Sequence, residues 1–175
     1  MSVIVGLDLS LTSTGYAYDV GEATPEYGRI TTKKKGVERL ATIVRAIDAL
    51  LDKTKPQLAV VEGYAMGFSQ RNSNTIFGIG ELGGVVRLAL YNRGISVLQV
   101  PPTNLKLFAT GRGNASKDEV IDSVISSYGI HTASDDEADA ITLMHMGLAY
   151  LNARMLPRRR DHYQRRAIES CKLIF

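Results

Sequence analysis

VIVGLDLSLTSTGYAYDV, residues Val3 to Val20, begins as an apolar strand and breaks its own pattern at Asp8, between Leu7 and Leu9. Ser10, Thr12, Ser13 and Thr14 follow at once. A carboxylate placed within an apolar strand is costly unless a partner offsets its desolvation. The rest of the chain must supply that partner.

Working outward, the segments order as strands 2–8, 14–20 and 27–32, a helix 36–53, a strand 58–63, a helix 74–93, a strand 95–99, a short helix 103–109, and helices 117–128 and 135–153. The first three strands are joined by short polar turns and read as an antiparallel meander. The later alternation of helix and strand predicts parallel crossovers. The expected fold is α/β: a mixed five-stranded sheet, three antiparallel strands then parallel ones, with helices around it. In the first helix Val37, Leu40, Val44, Ile47 and Leu51 recur at helical spacing and predict a core face. Ser116 with Glu119, and Ser134 with Glu137, have the spacing of capping boxes at the starts of the last two helices. Gly78, Gly80, Gly83 and Gly84 lie inside a helix, where each costs about 1 kcal/mol against alanine. Close packing against the sheet or against a second subunit is the expected reason.

Composition bounds the function. The chain has 175 residues, 45% hydrophobic and 22% charged, enough for one domain with a real core. No apolar run is long enough to span a membrane. No basic-then-apolar leader opens the chain, and Cys171 is its one cysteine, so a cytoplasmic location is expected. His131, His145 and His162 are scattered and make no zinc pattern. Residues 151–175 carry seven Lys and Arg against Asp161 and Glu169, which places the +3 net charge in this tail. The tail, with Arg158, Arg159 and Arg160, reads equally as a polyanion-binding arm or a solvated terminus. The domain reading is a folded unit over 1–155 and a basic tail over 156–175.

The carboxylates answer the opening question. Asp8 and Glu62 each end a strand, and Asp136 and Asp139 share a helix face. Alone, the acids at 135–137 are adequately explained as partners of the helix dipole. Read together, Asp8, Glu62, Asp136 and Asp139 form a hard, oxygen-only set suited to magnesium or manganese. Two such ions about 4 Å apart can clamp the attacking and leaving oxygens of a phosphodiester.

In order, GLDLSLTSTGYA, VVEGY, GELGGVVRLAL, NLKLFATGRGNASKDEV and DDEADAITL resemble the motifs of the RuvC family of Holliday-junction resolvases, over residues 3–150. The resemblance implies the RNase H-like fold and a homodimer that nicks two strands of a four-way junction symmetrically, leaving 5′-phosphate and 3′-hydroxyl ends. It implies a metal-binding catalytic set of Asp8, Glu62, Asp136 and Asp139, with two Mg2+ or Mn2+ ions and Lys117 as a further catalytic residue. Lys106 and Lys117 fall where the family has functional lysines. Phe68 or Tyr64 stands near the family's aromatic wedge, and Arg112, between two glycines, joins Lys106, Lys117 and the tail arginines as a DNA-contacting candidate. The chain departs from the family at Leu9–Ser10, where the family has Pro-Gly, and in GYAMGFSQRN. Its length and compact motifs are similar to those of bacteriophage resolvases, which would place it in the host cytoplasm. Two alternatives remain on the same residues: ribonuclease H-type cleavage of RNA–DNA hybrids, and a nucleotide-binding protein of the actin-like ATPase fold.

Overall fold

The computed structural model describes residues 3–19, 21, 24–64, 73–152 and 162–175. A mixed sheet has the order β3-β2-β1-β4-β5-β6. Strands β1 (Ile4–Asp8), β2 (Ser13–Tyr18) and β3 (Glu26–Thr31) form the antiparallel meander. Strands β4 (Leu58–Glu62) and β5 (Ser96–Val100) continue from β1 in parallel, each reached through a helix, α1 (Gly36–Thr54) and α2 (Ser73–Asn92). Helices α3 (Pro102–Thr110), α4 (Lys117–Tyr128) and α5 (Asp135–Leu151) follow.

Period-two alternation divides the core between the two sheet faces. Val5, Leu7, Ala59, Val61 and Val97 pack with α1 and α2. Ile4, Leu58, Val60, Leu98 and Val100 pack with α3, α4 and α5 on the other face. Gly6 falls in register with Ile4 on the α5 side. A Cβ there would lie 2.6 Å from the Met144 nitrogen and nearer still to the Ala140 carbonyl oxygen. Alanine would therefore lift α5 off the sheet. The same periodicity turns Asp8 and Glu62 toward the α5 face.

The first helix buries Ile43, Ile47 and Leu51, with Leu40 and Val44 packed at the margin. Val37, expected on that face, is 81% exposed: it lies in the first turn, ahead of the buried Ile43, Ile47 and Leu51. The Ser116–Glu119 capping box is present in both directions. The expected Ser134–Glu137 box is not formed. Glu137 instead accepts from the Thr132 hydroxyl at 2.5 Å and pairs with Arg29 at 3.5 Å. Both partners lie outside the helix, and they draw the carboxylate away from its own N-cap.

The sheet has a sixth strand. Helix α6 (Tyr163–Glu169) buries Ala167 and Ile168 in the core shared with α3. The Asn104 amide donates to the Ala167 carbonyl at 2.8 Å. Strand β6 (Lys172–Leu173) then runs antiparallel to β5 and covers its open edge. Arg158, Arg159 and Arg160 lie outside the described residues. Among the described residues, no helix is long and apolar enough to cross a membrane.

Candidate active site

The geometry of the acids follows from strand register. Leu7 pairs with Val61, so one step on Glu62 stands beside Asp8 at the ends of neighbouring parallel strands. On the other side Asp8 pairs with Gly15. A Cβ at Gly15 would lie 2.6 Å from the Asp136 carbonyl carbon. The first turn of α5 thus rests on β2 beside Asp8, and its acids come down onto the strand ends. Asp8, Glu62, Asp135, Asp136 and Asp139 all line one cleft of about 880 Å³.

This clustering has an electrostatic cost. Burial, and then Glu62, Asp139, Asp136 and Asp135, push the Asp8 carboxyl well above the usual carboxylate range. Asp139 is pushed up to about 6, chiefly by burial and then by Asp135. Two local contacts offset part of this cost. The Ser13 hydroxyl donates to Asp136 Oδ2 at 2.5 Å. Lys117 forms an ion pair with Asp135 that raises the lysine's affinity for its proton and lowers the aspartate's. Asp135 thus sets a negative charge beside Lys117, the first residue of α4.

Of the residues the sequence singles out, Asp8, Glu62, Tyr64, Lys106, Lys117, Asp136 and Asp139 line this cleft together. Arg112 is not among its lining residues, and its guanidinium pairs with Glu119. Phe68 and the three tail arginines lie outside the described residues. Sequence reasoning missed Asp135, which it explains adequately as a helix-dipole partner, and Ser13, whose partner is 123 residues away. It also missed Arg87, which lines the cleft from α2.

The donor set suits a hard divalent cation: among the described residues six carboxylates line the cleft, Glu81 on α2 being the sixth, and no histidine or cysteine does. Among the described residues no three carboxylates are drawn together tightly enough to hold an ion, since Asp136 is turned to Ser13 and Asp135 to Lys117. The backbone that carries these acids is fixed by β1, β4 and α5. A cation would relieve the like-charge crowding around Asp8.

A mixed sheet with acids at the ends of two adjacent strands and an acid-bearing helix crossing them is the architecture of the RNase H-like nucleases. Residues 4–145 match the family model of crossover junction endodeoxyribonuclease RuvC, and the chain belongs to that family. A crossover junction endodeoxyribonuclease RuvC from Synechococcus sp. (strain WH7803) is 33% identical over 157 residues, covering 82% of this chain and 96% of its own length. One from Prochlorococcus marinus (strain MIT 9211) is 34% identical over 149 residues, covering 81% and 92%. The structure of T. thermophilus RuvC in complex with Holliday junction substrate superposes with a TM-score of 0.72 at 22% identity, over 99% of this chain and all of that one, and supports the fold.

Proposed function

We propose that this chain resolves four-way and other branched DNA junctions as a homodimer, hydrolysing one phosphodiester per protomer with divalent-metal assistance. One observation carries the reading: Asp8, Glu62, Asp136 and Asp139 converge on a single cleft with Lys106 and Lys117. The four acids would hold Mg2+ or Mn2+, one or two ions per site. When bound, the metal supplies Lewis-acid stabilisation of the phosphate and a water nucleophile at neutral pH.

The chain's own residues do the rest. Asp8 and Glu62 are fixed by the sheet, so their spacing does not depend on a loop. Ser13 orients Asp136. Lys117, paired with Asp135, and Lys106 place positive charge along one wall, where the DNA backbone would enter. Among the described residues the cleft is lined mainly by acids, lysines and apolar side chains rather than by a groove-reading helix, so choice of substrate would rest on junction shape.

The exposed face of α2 supports self-association. Phe77 (71% exposed), Leu88 (58%) and Tyr91 (63%) lie along one stripe with Gly80 and Gly84. A Cβ at either glycine would meet nothing within 4 Å. Bare backbone flanked by large apolar side chains fits a second copy of the same helix across a two-fold axis.

The test is cleavage of a labelled four-way junction, a linear duplex and an RNA–DNA hybrid with magnesium, beside the Asp8→Asn variant. Paired symmetric cuts in the junction alone, lost in the variant while junction binding persists, are expected. Cuts chiefly in the hybrid would make the protein a ribonuclease on the same scaffold. Sedimentation at micromolar concentration should show a dimer that Leu88→Glu dissociates.

A further inference from the structure

Arg87 lines the acidic cleft from α2, which packs on one face of the sheet, whereas Lys106 and Lys117 line it from α3 and α4, which pack on the other. The Arg87 Cζ lies 4.9 Å from the centre of the Tyr64 ring. Its Nη1 donates to the Tyr64 hydroxyl at 2.9 Å, and its Nη2 to Gln99 Oε1 at 3.4 Å.

Two glycines make room for this arrangement. A Cβ at Gly83, in the helical turn before Arg87, would lie 2.6 Å from Nη1 and 3.0 Å from Tyr64 Cζ. A Cβ at Gly63, one residue past Glu62, would lie 3.0 Å from the Gln99 amide nitrogen. Both positions would have to yield if either glycine carried a side chain. The guanidinium is thereby held against Tyr64, two residues past the end of β4, and Gln99 of β5. Among the described residues two of its five N–H donors are committed, to a hydroxyl and an amide oxygen. A planar fork held in this way matches phosphate geometry.

We propose that Arg87 is a phosphate clamp, gripping a backbone phosphate adjacent to the one cut, on the side of the acids away from Lys106 and Lys117. The inference rests on the junction-cleaving reading. Tyr64 is then a positioning residue that holds the guanidinium, and the strand to be cut is gripped on both sides of the acids. The clamp fixes where the strand lies, and its positive charge offsets the repulsion between the phosphate and the acids.

The experiment measures junction affinity against salt in the Asp8→Asn background, which leaves the DNA uncut. Each phosphate contact contributes roughly 0.9 to the slope of log affinity against log salt. Arg87→Ala should therefore lower the slope by about 0.9 for each clamp engaged, or about 1.8 in a homodimer. A merely structural arginine would weaken folding and leave the slope unchanged, so a folded Arg87→Ala protein with the parent slope overturns the proposal. If alanine does not fold, Arg87→Gln keeps hydrogen-bonding capacity toward Tyr64 and Gln99 without the charge, and its slope decides between the same two outcomes. Failure of the Asp8→Asn parent itself to bind the junction would instead overturn the reading on which the clamp rests.

Discussion

Substituting Gly15 tests whether the contact between β2 and α5 sets the spacing of the acids. In Gly15→Ala the new methyl would lie 2.6 Å from the Asp136 carbonyl carbon. The Asp136 carbonyl oxygen would lie nearer still, and non-bonded heavy atoms settle at about 3.5 Å, so strand and helix must part by roughly 1 Å or more. The backbone that moves carries Asp136 and, one turn on, Asp139, while Asp8 remains in β1 beside Gly15. Overpacking of this kind costs about 1–3 kcal/mol of stability. A misplacement of about 1 Å among reacting groups costs roughly a hundredfold in rate. The assay is single-turnover cleavage of a four-way junction at saturating protein, with affinity measured separately and folding checked by denaturant. Cleavage should fall about a hundredfold while junction affinity changes less than about threefold, because Lys106 and Lys117 sit on other helices. Gly28→Ala is the control, since its methyl would meet the Tyr16 hydroxyl at 2.8 Å, the movable end of a side chain remote from the acids. A folded Gly15→Ala protein that cleaves within about threefold of wild type would refute the reasoning, because that contact would then not govern the site.

Two further expectations concern stability. His145 stacks on Tyr128 with ring centres 3.6 Å apart, and its Nε2 finds no hydrogen-bond partner among the described residues. Burial lowers its pKa to about 4 from an ordinary 6.5. The unfolded chain therefore takes up the proton first, and this contribution, present above about pH 6.5, is lost as pH falls toward 4, up to about 3 kcal/mol in all. Urea denaturation across that range should show His145→Phe losing less stability on acidification than wild type, and parallel profiles would sink the idea. Truncation after residue 161 should cost about 3 kcal/mol or more, because it removes buried Ala167 and Ile168 and uncovers the edge of β5. The basic arm is better probed by changing Arg158, Arg159 and Arg160 to Gln, which should weaken junction binding at low salt and leave the cleavage rate at saturation unchanged. Unaltered binding would show that these arginines do not touch DNA.

The sequence was informative wherever a local period carried the signal. The first five strands, the helical spacing of Ile47 and Leu51, and the acids at strand ends could all be read because alternation, turns and burial are properties of neighbouring residues. What escaped reading depended on distant partners. Glu137 has the spacing of a capping box, yet Thr132 and Arg29 take it. Val37 has the right phase but lies in the first turn, ahead of the residues the core covers. Asp135 is adequately explained by the helix dipole, and nothing local announces its pairing with Lys117. The segment 162–175 reads as charge, since its buried contribution is little more than Ala167 and Ile168, and a two-residue strand has no period to detect. Arg87 looks like the polar side of an amphipathic helix until Gly83 and Tyr64 are seen to make room for it.

These features together imply that the cleft opposes folding and that packing elsewhere offsets the cost. Asp139 shows the size of the effect. Its pKa of about 6 exceeds the ordinary 3.8 because burial and Asp135 disfavour its charge. A carboxyl whose affinity for the proton is higher in the folded state loses stability as pH rises from about 4 to 6, and above that carries the whole penalty, about 3 kcal/mol for a shift of this size. Asp139→Asn removes the charge and keeps the shape, so the variant should be more stable than wild type by up to about 3 kcal/mol at pH 7 and equal to it near pH 4. With Asp139 as a proposed metal ligand, magnesium should narrow the difference at pH 7 by stabilising wild type more than the variant. A variant less stable than wild type at pH 7 without metal would mean that Asp139 is stabilised by contacts stronger than its repulsions. The cleft would then be a structural ion network rather than a site held ready for a cation. The expected ordering, stability gained where activity is lost, is what a site strained for function requires.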